Sequence, residues 1–267
     1  MGLNDNMHKA RVIKNDEFYT QLPDIENELK HYKEHFKDKI VYCNCDNEDS
    51  NFIKYFKDNF KELRLKELLY TGLPIDFRSN ESIELLKRAD VVVTNPPFSL
   101  FREYMAQLIE YENKFLVIGH INAITYKDVF KHIMSKRVWL GINSRNMDFK
   151  LLDGSIFPVT VRWFTNLKHN KQNEELILTK KYNEKDYPKY DNYNAIEVSK
   201  VANIPVDYEG VMGVPITFLS KYNPEQFELL GCSYEHGRID EHITGAPFKT
   251  RINGKQTFKR LFIRRRK

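Results

Sequence analysis

The chain has 267 residues, with 42 Lys and Arg against 37 Asp and Glu, a formal charge of +5. Hydrophobic residues make up 41% and charged residues 30%, which is too apolar and too evenly charged for a disordered chain. No apolar run reaches the ~20 residues of a membrane helix. Met1 to Lys14 is polar with no signal-peptide core, so a cytoplasmic protein is expected.

The length supports one large domain, or one plus a smaller module. In chain order, Leu22, Ile25, Leu29, Tyr32 and Phe36 recur every three or four residues, which predicts one amphipathic helix. Lys39–Cys45 reads as a short apolar strand. Ser50 is the expected cap of a helix with a Phe52, Phe56, Phe60 and Leu63 stripe. Leu68–Tyr70 is a weaker strand, and Asn80 the expected cap of a helix carrying Ile83 and Leu86. Asp90–Thr94 is a β-branched run that fits a strand buried on both faces. It ends at Asn95-Pro96-Pro97-Phe98, and Ser99 is the expected cap of the helix carrying Phe101, Tyr104, Met105 and Leu108. Strand Phe115–Gly119 and helix Tyr126–Met134 follow. Strands are then expected at Val138–Ile142, Phe157–Trp163 and Leu176–Thr179.

Helices and strands alternate to about residue 142, after which the reading is mostly strand. That pattern predicts an α/β fold: a doubly wound, mostly parallel sheet with an antiparallel end, plus a small C-terminal module. Composition changes near Tyr182, where Tyr182, Tyr187, Tyr190 and Tyr193 fall among Lys, Asn and Asp. A boundary there divides the chain into residues 1–180 and 181–267. Asn223-Pro224-Glu225-Gln226 reads as a helix start. Three cysteines, Cys43, Cys45 and Cys232, do not make a secreted disulfide framework. Cys43-Asn44-Cys45 lacks the C-x-x-C spacing and four ligands of structural zinc. His31 and His35, whose i, i+4 spacing could hold a metal, have no HExxH pattern and read as a solvated helix face, so no metal is expected.

The tetrad Asn95–Phe98 carries the chemistry because it leaves a buried strand and enters a helix, where open α/β sheets bind ligands. Asn95 and a proline carbonyl together accept both hydrogens of an amino group, and Phe98 stacks on a planar ring. Two acceptors drawing on an exocyclic amine free its lone pair for attack on a sulfonium methyl. Adenine in DNA, a base in RNA and a glutamine amide are all planar amines, so the tetrad alone leaves these substrates open.

Residues Asp90–Tyr104, DVVVTNPPFSLFREY, resemble the EcoRI-type adenine-specific DNA methyltransferases. The resemblance extends through Asn15–Gln21, Val41–Asp46, Ser50–Phe56, Asp76–Ser79, Asn122–Lys127, Tyr187–Ile196, Gly210–Phe218 and Asn223–Leu230, nearly the whole chain. It implies a class I methyltransferase fold and site-specific N6-methylation of adenine in duplex DNA by base flipping, with S-adenosylmethionine as cofactor. It also implies a monomer, with a cognate restriction endonuclease as genetic partner. Asn95, Pro96, Pro97 and Phe98 are then the catalytic residues, with Asn95 also beside the cofactor. Cofactor contacts are implied for Tyr19 and Thr20, for Asn44 and Asp46 (in place of a glycine-rich loop), for Asp76 on the cofactor's adenine amine, and for Phe77 on that ring. Asp46 alone also reads as a helix-start cap. Two departures stand out. The stretch from Tyr70 to Asp76 is short for the family, and no carboxylate marks the end of the second strand, where a ribose ligand commonly sits. DNA contacts are expected from the tyrosine-rich segment, with Tyr190 as the candidate, and from the tail His236–Lys267, with Arg264, Arg265 and Arg266. A catalytically inert DNA-binding protein of the same fold is the rival of another class, and the intact tetrad argues against it.

Overall fold

The structure is a computed structural model that describes residues 19–71, 76–150, 155–233 and 249–266. Two compact units are present, Met1–Ile121 with Gly141–Leu167, and Asn122–Leu140 with Lys168–Lys267.

The elements run β1 (Tyr19–Thr20), α1 (Leu22–Leu29), α2 (Lys33–Phe36), β2 (Ile40–Cys43), α3 (Asn51–Asp58), β3 (Glu67–Tyr70), α4 (Asn80–Arg88), β4 (Val91–Thr94), α5 (Phe101–Glu110) and β5 (Lys114–His120). Next come α6 (Lys127–Met134), β6 (Trp139–Leu140), β7 (Met147–Lys150), β8 (Ile156–Val159) and β9 (Val161–Thr165). The remainder is β10 (Ile196–Glu197), β11 (Met212–Pro215), β12 (Phe227–Cys232), β13 (Arg251–Ile252), β14 (Lys255–Gln256) and β15 (Arg260–Arg265).

In the first unit the large sheet runs in the order β3-β2-β4-β5-β9. All its pairs are parallel except the last, β5 with β9. Alternate residues serve opposite faces. Val41, Cys43, Val91, Val93, Leu116, Ile118 and Trp163 pack with Ile25 and Leu29 of α1 and with Phe52 and Phe56 of α3. Tyr42 points the other way, and its hydroxyl meets Ser82 Oγ of α4 at 3.0 Å. Helices therefore cover both faces, as the uninterrupted apolar strands require. β1, β7 and β8 form a separate three-stranded antiparallel sheet.

Several elements differ from the sequence-based expectation. The first helix is two, because backbone bonds from His31 to Glu28 and from Tyr32 to Leu29 tighten its end, and the Tyr32 hydroxyl is drawn to Glu28 at 3.0 Å. Ser50 caps α3 as expected, accepting from Phe52 N at 3.1 Å. Ser79 rather than Asn80 caps α4, accepting from Ser82 N at 3.2 Å. Ser99 does not cap α5. The Pro97 carbonyl accepts the Leu100 N–H at 3.1 Å, which puts a 3-10 turn over Phe98–Leu100 and starts the helix at Phe101. The run Phe157–Trp163 is divided between β8 and β9. Pro158 has no N–H for a ladder, and β8 is an edge strand of its sheet.

In the second unit β10-β11-β15-β12 form one sheet and β13-β14 a hairpin. Leu176–Thr179 is not a strand. The side-chain amide of Gln226 takes both backbone groups of Leu176, at 2.9 and 2.7 Å, as a strand partner would. Asn223–Gln226 turns through Asn223 Oδ1 and its carbonyl, but strand β12 follows instead of a helix. Pairing of β12 with β15 buries Phe227, Leu229 and Leu230, and this tertiary burial outweighs the local start signal.

Candidate functional site

β2 has β3 on one side and β4 on the other. The winding direction reverses there, and the carboxyl ends of such strands form a ligand crevice. The loop after β2 carries Asn44 and Asp46, and the loop after β4 carries the tetrad. Hydrogen bonds lock the two loops together. Thr94 Oγ1, at the end of β4, donates to Asp46 Oδ2 at 2.5 Å, and Ser50 Oγ donates to Asp46 Oδ1 at 2.5 Å. Asp46 is therefore a pin between loops, while Ser50 does the helix capping. The Tyr104 hydroxyl of α5 donates to Asn44 Oδ1 at 2.5 Å.

The tetrad is seated from behind. Phe101, the first residue of α5, lies so close to Gly119 that a Cβ there would come within 2.5 Å of the ring. Glycine at the end of β5 therefore admits the helix start. Pro96 is buried. The Pro97 carbonyl accepts the bond that closes the 3-10 turn. Phe98 is half-buried and meets Phe149 edge-on, with ring centroids 6.3 Å apart.

Thr20 pairs with Phe149 in the β1–β7 ladder, and its carbonyl accepts from Asn51 Nδ2 at 2.8 Å. The backbone of Tyr19 pairs with Lys150, and its side chain lies outside the described residues. Asn44 Nδ2 and Thr20 Oγ1 are buried here without a hydrogen-bond partner.

The Asp76–Ser79 turn docks on α5. Gln107 Nε2 donates to the Phe77 carbonyl at 3.1 Å, and Phe77, only 3% exposed, meets Tyr104 edge-on at 5.1 Å. The Arg78 guanidinium lies over the Phe77 ring at 5.5 Å. It also donates to both Asp76 oxygens, at 2.9 and 2.7 Å, and these bonds hold the exposed Asp76 carboxyl below its usual range. Asp76 and Phe77 follow β3 in the chain, with Arg78 lying across both.

Burial pushes the Asp46 carboxyl up to about 6, against the pull of the Ser50 and Thr94 hydroxyls. The folded chain therefore holds this proton more tightly than the unfolded chain does. Folding stability falls as pH rises from 3.8 towards 6, and the acceptor carboxylate is complete only above that range. A ligand held by the Asp46 carboxylate should lose affinity as pH falls below 6, by about tenfold per unit. Calorimetric titration between pH 5 and 8 checks this, and Asp46→Asn should flatten the profile. A parental profile that is already flat would remove Asp46 from the ligand's contacts.

Sequence reading missed three participants. Tyr104 and Gln107 looked like ordinary core positions of an amphipathic helix. Arg162 is a charged residue inside an apolar strand, which was the visible signal. It is 6% exposed, opposite Gly119 in the β5–β9 ladder. Nη1 donates to the Val161 carbonyl at 2.5 Å, Nε has no partner, and burial lowers its pKa. No carboxylate among the described residues pairs with it, and a buried cation without a counter-charge is costly.

The candidate DNA contacts in the second unit are engaged by their own chain. Tyr190, 5% exposed, gives its hydroxyl to Glu197, which also holds Arg260 through both oxygens. It packs on Tyr193 and Phe262 and so fills the unit's interior instead of facing a ligand. Arg264 pairs with Glu228 at 2.7 Å, Arg265 donates to the Val206 carbonyl, and Arg266 donates to the Pro224 carbonyl at 2.8 Å. Much of the expected contact tail, residues 234–248 and 267, lies outside the described residues.

Comparison with known proteins places the chain in a family. The family model for "Adenine-specific methyltransferase EcoRI" matches residues 6–74, 72–156 and 157–266. The chain is 43% identical to the Type II methyltransferase M.EcoRI of Escherichia coli, over 99% of this chain and 97% of that one. It is 38% identical to the Type II methyltransferase M.MpnI of Mycoplasma pneumoniae and 36% to M.MgeORF184P of Mycoplasma genitalium, in each case over 97% of this chain and 98% of the relative. The first alignment runs over 326 positions against 267 residues here, and the pieces of the family match meet at 72–74 and at 156–157. The first of these joins lies within the short Tyr70–Asp76 stretch. No solved structure matches the chain. With matches across nearly its whole length, the chain belongs to the family of EcoRI-type adenine-specific DNA methyltransferases.

Proposed function

We propose that the first unit is a class I methyltransferase domain that uses S-adenosylmethionine to methylate adenine N6 at a specific site in duplex DNA. The observation that carries this reading is the locking of the tetrad loop to the Asn44–Asp46 loop by the Thr94–Asp46 hydrogen bond at 2.5 Å. One loop then handles the amine and the other the methyl donor, held in fixed register. The residues present fit that donor. The unpartnered Asn44 amide N–H and the Thr20 hydroxyl suit its carboxylate. Asp46 retains acceptor capacity for a hydroxyl or ammonium hydrogen. Asp76 suits its adenine amine once Arg78 swings aside, and Phe77 is its neighbour in the chain. When bound, the cofactor supplies an electrophilic sulfonium methyl.

Asn95 Oδ1 and the Pro96 carbonyl accept the two N6 hydrogens of the target adenine. This draws the amine towards a tetrahedral shape and makes its lone pair available. The nitrogen becomes acidic as its new bond forms, so its proton passes to solvent water afterwards and no strong base is needed first. The adenine must be flipped out of the duplex to reach these acceptors, and Phe98 holds it by stacking. The first unit serves as the catalytic part and the second, which includes residues 181–267, as the target-recognition part. A cognate restriction endonuclease is the genetic partner, and the enzyme acts as a monomer.

Treating unmethylated duplex DNA with enzyme and cofactor, then sequencing for N6-methyladenine, tests the reading and gives the site. Methyl transfer to tRNA or to a release-factor glutamine, with none to duplex DNA, would overturn it. Phe98 gives a finer test. Stacking on a base is worth about 1–3 kcal/mol, so Phe98→Ala should lower kcat/KM on a paired duplex by roughly 5- to 150-fold. A mismatch at the target adenine should restore part of that loss, since flipping is then cheaper. If the mismatch helps mutant and parent equally while the melting temperature drops, Phe98 serves only to pack against Phe149.

A further inference from the structure

We infer that the β13–β14 hairpin is a base-reading element whose outward face presents Lys249, Arg251, Gln256 and Phe258 to the major groove of the substrate duplex. The inference rests on duplex DNA being the substrate. The ladder sets the face. Arg251 lies opposite Gln256, and Ile252 opposite Lys255. The Thr257 N–H donates to the Thr250 carbonyl at 2.8 Å, extending the pairing. Thr250 is buried, and Ile252 packs on the cluster of Tyr190, Tyr193 and Phe262. By strand alternation the other side of the ribbon carries Lys249, Arg251, Gln256 and Phe258. All four are exposed, Phe258 by 85%.

The hairpin is held in one conformation. Asn253 and Gly254 have φ of 51° and 73°, the left-handed pair of a type I′ turn, which Asn-Gly favours. Both turn N–H groups donate to the Asp191 carboxylate, at 3.0 and 2.7 Å. Asn192 accepts from Arg251 N at 3.0 Å and donates to the Lys249 carbonyl at 3.1 Å. The Asp191 N–H donates to the Arg251 carbonyl at 2.8 Å. A two-stranded ribbon is marginal by itself, and this clamp uses up the free edge of β13. Packing the Ile252 side fixes the direction in which the outward side chains point.

The chemistry of that face is specific. A two-stranded ribbon fits the major groove. Arginine recognises guanine O6 and N7 in bidentate fashion, glutamine recognises adenine N6 and N7, and phenylalanine touches the thymine methyl. Lys249 at the base of the ribbon suits a phosphate. Arg251 makes no ion pair among the described residues. Tyr190, expected itself to touch DNA, instead lies beneath the ribbon as its support.

The test uses the full-length enzyme with cofactor. Sequencing of treated unmethylated genomic DNA fixes the target site. kcat/KM is then measured on duplexes carrying that site and each single-base variant of it. Arg251→Ala and Gln256→Ala should each lower kcat/KM on the cognate duplex by about 5- to 150-fold and relax preference at one base pair, different for the two. Lys249→Ala should weaken all sequences alike and reduce the salt slope of binding by about one. Melting temperature and cofactor affinity should match the parent in all three, since these side chains are exposed. Unchanged kcat/KM and unchanged base preference in Arg251→Ala and Gln256→Ala would overturn the proposal. If the parent enzyme itself methylates no duplex DNA, the substrate assignment falls, and the hairpin proposal with it.

Discussion

Asn95→Ala is expected to lower kcat for methyl transfer by about 10²–10³-fold while leaving cofactor affinity within about twofold of the parent. The acceptor is needed most when the amine acquires positive character at nitrogen, so its loss is felt in the transition state. The factor is the scale set by removing one preorganised hydrogen-bonding group from a site of developing charge. Asn95→Asp keeps an oxygen acceptor and should recover part of the rate, which a purely structural role would not produce. The loop itself should survive both changes. It is held by Thr94 on Asp46, by the Pro97–Leu100 turn bond and by Phe101 against Gly119, none of which uses the Asn95 side chain. Single-turnover rates, calorimetry with the cofactor and thermal melts on the three proteins make the comparison. Parental turnover in Asn95→Ala would remove the centre of the proposed mechanism.

Glu28→Ala should destabilise the protein by about 3–5 kcal/mol and lower Tm by roughly 6–20 °C. The Glu28 carboxylate is fully buried and accepts four hydrogen bonds. Three come from across the unit, Ile142 N at 2.7 Å and Asn143 N and Nδ2 at 2.8 Å each. The fourth is the Tyr32 hydroxyl at 3.0 Å. Desolvation raises its pKa, and these bonds work in the opposite direction. Truncation leaves four donors facing a cavity, and each stranded buried donor costs about 1–3 kcal/mol before water enters. Glu28→Gln should cost less than alanine but more than a surface change, because its amide N–H₂ would face other donors. Methyl transfer per folded molecule should be unaffected below the melting range. Denaturant titration of the three proteins decides the matter, and equal midpoints would mean that this buried knot contributes nothing net.

Much of the catalytic unit was legible in the chain because its signals are local. The β-branched run ending at Thr94 marks a strand buried on both faces, and four residues later the tetrad has fixed the backbone through two prolines. Alternation of such runs with amphipathic stretches is enough to imply helices on both faces of a mostly parallel sheet. Ser50 capped its helix because capping needs only neighbours two residues away. The Asn253-Gly254 turn was equally local, and its sequence already carried the hairpin that the reading passed over.

What the tertiary structure decided rests on contacts between distant residues. Thr94 reaches Asp46 across 48 positions, Tyr104 reaches Asn44 across 60, and Glu28 reaches Asn143 across 115. No periodicity encodes such pairings. Tyr190 looked like a stacking surface because tyrosines among Lys and Asn resemble one. Its place was settled by Glu197, which accepts its hydroxyl and also pairs with Arg260. Arg264, Arg265 and Arg266 looked like a phosphate patch, but partners on other strands and loops hold them in the fold. Asn223–Gln226 carries the local signs of a helix start, yet β15 offered a longer apolar pairing for the residues after it. Sequence alone therefore determined the sheet, the tetrad and the chemistry of the amine, each of which depends on residues within one turn or one strand. Which charged and aromatic side chains remain outside to meet DNA depended on what the rest of the chain had already claimed, and only the folded structure decided that.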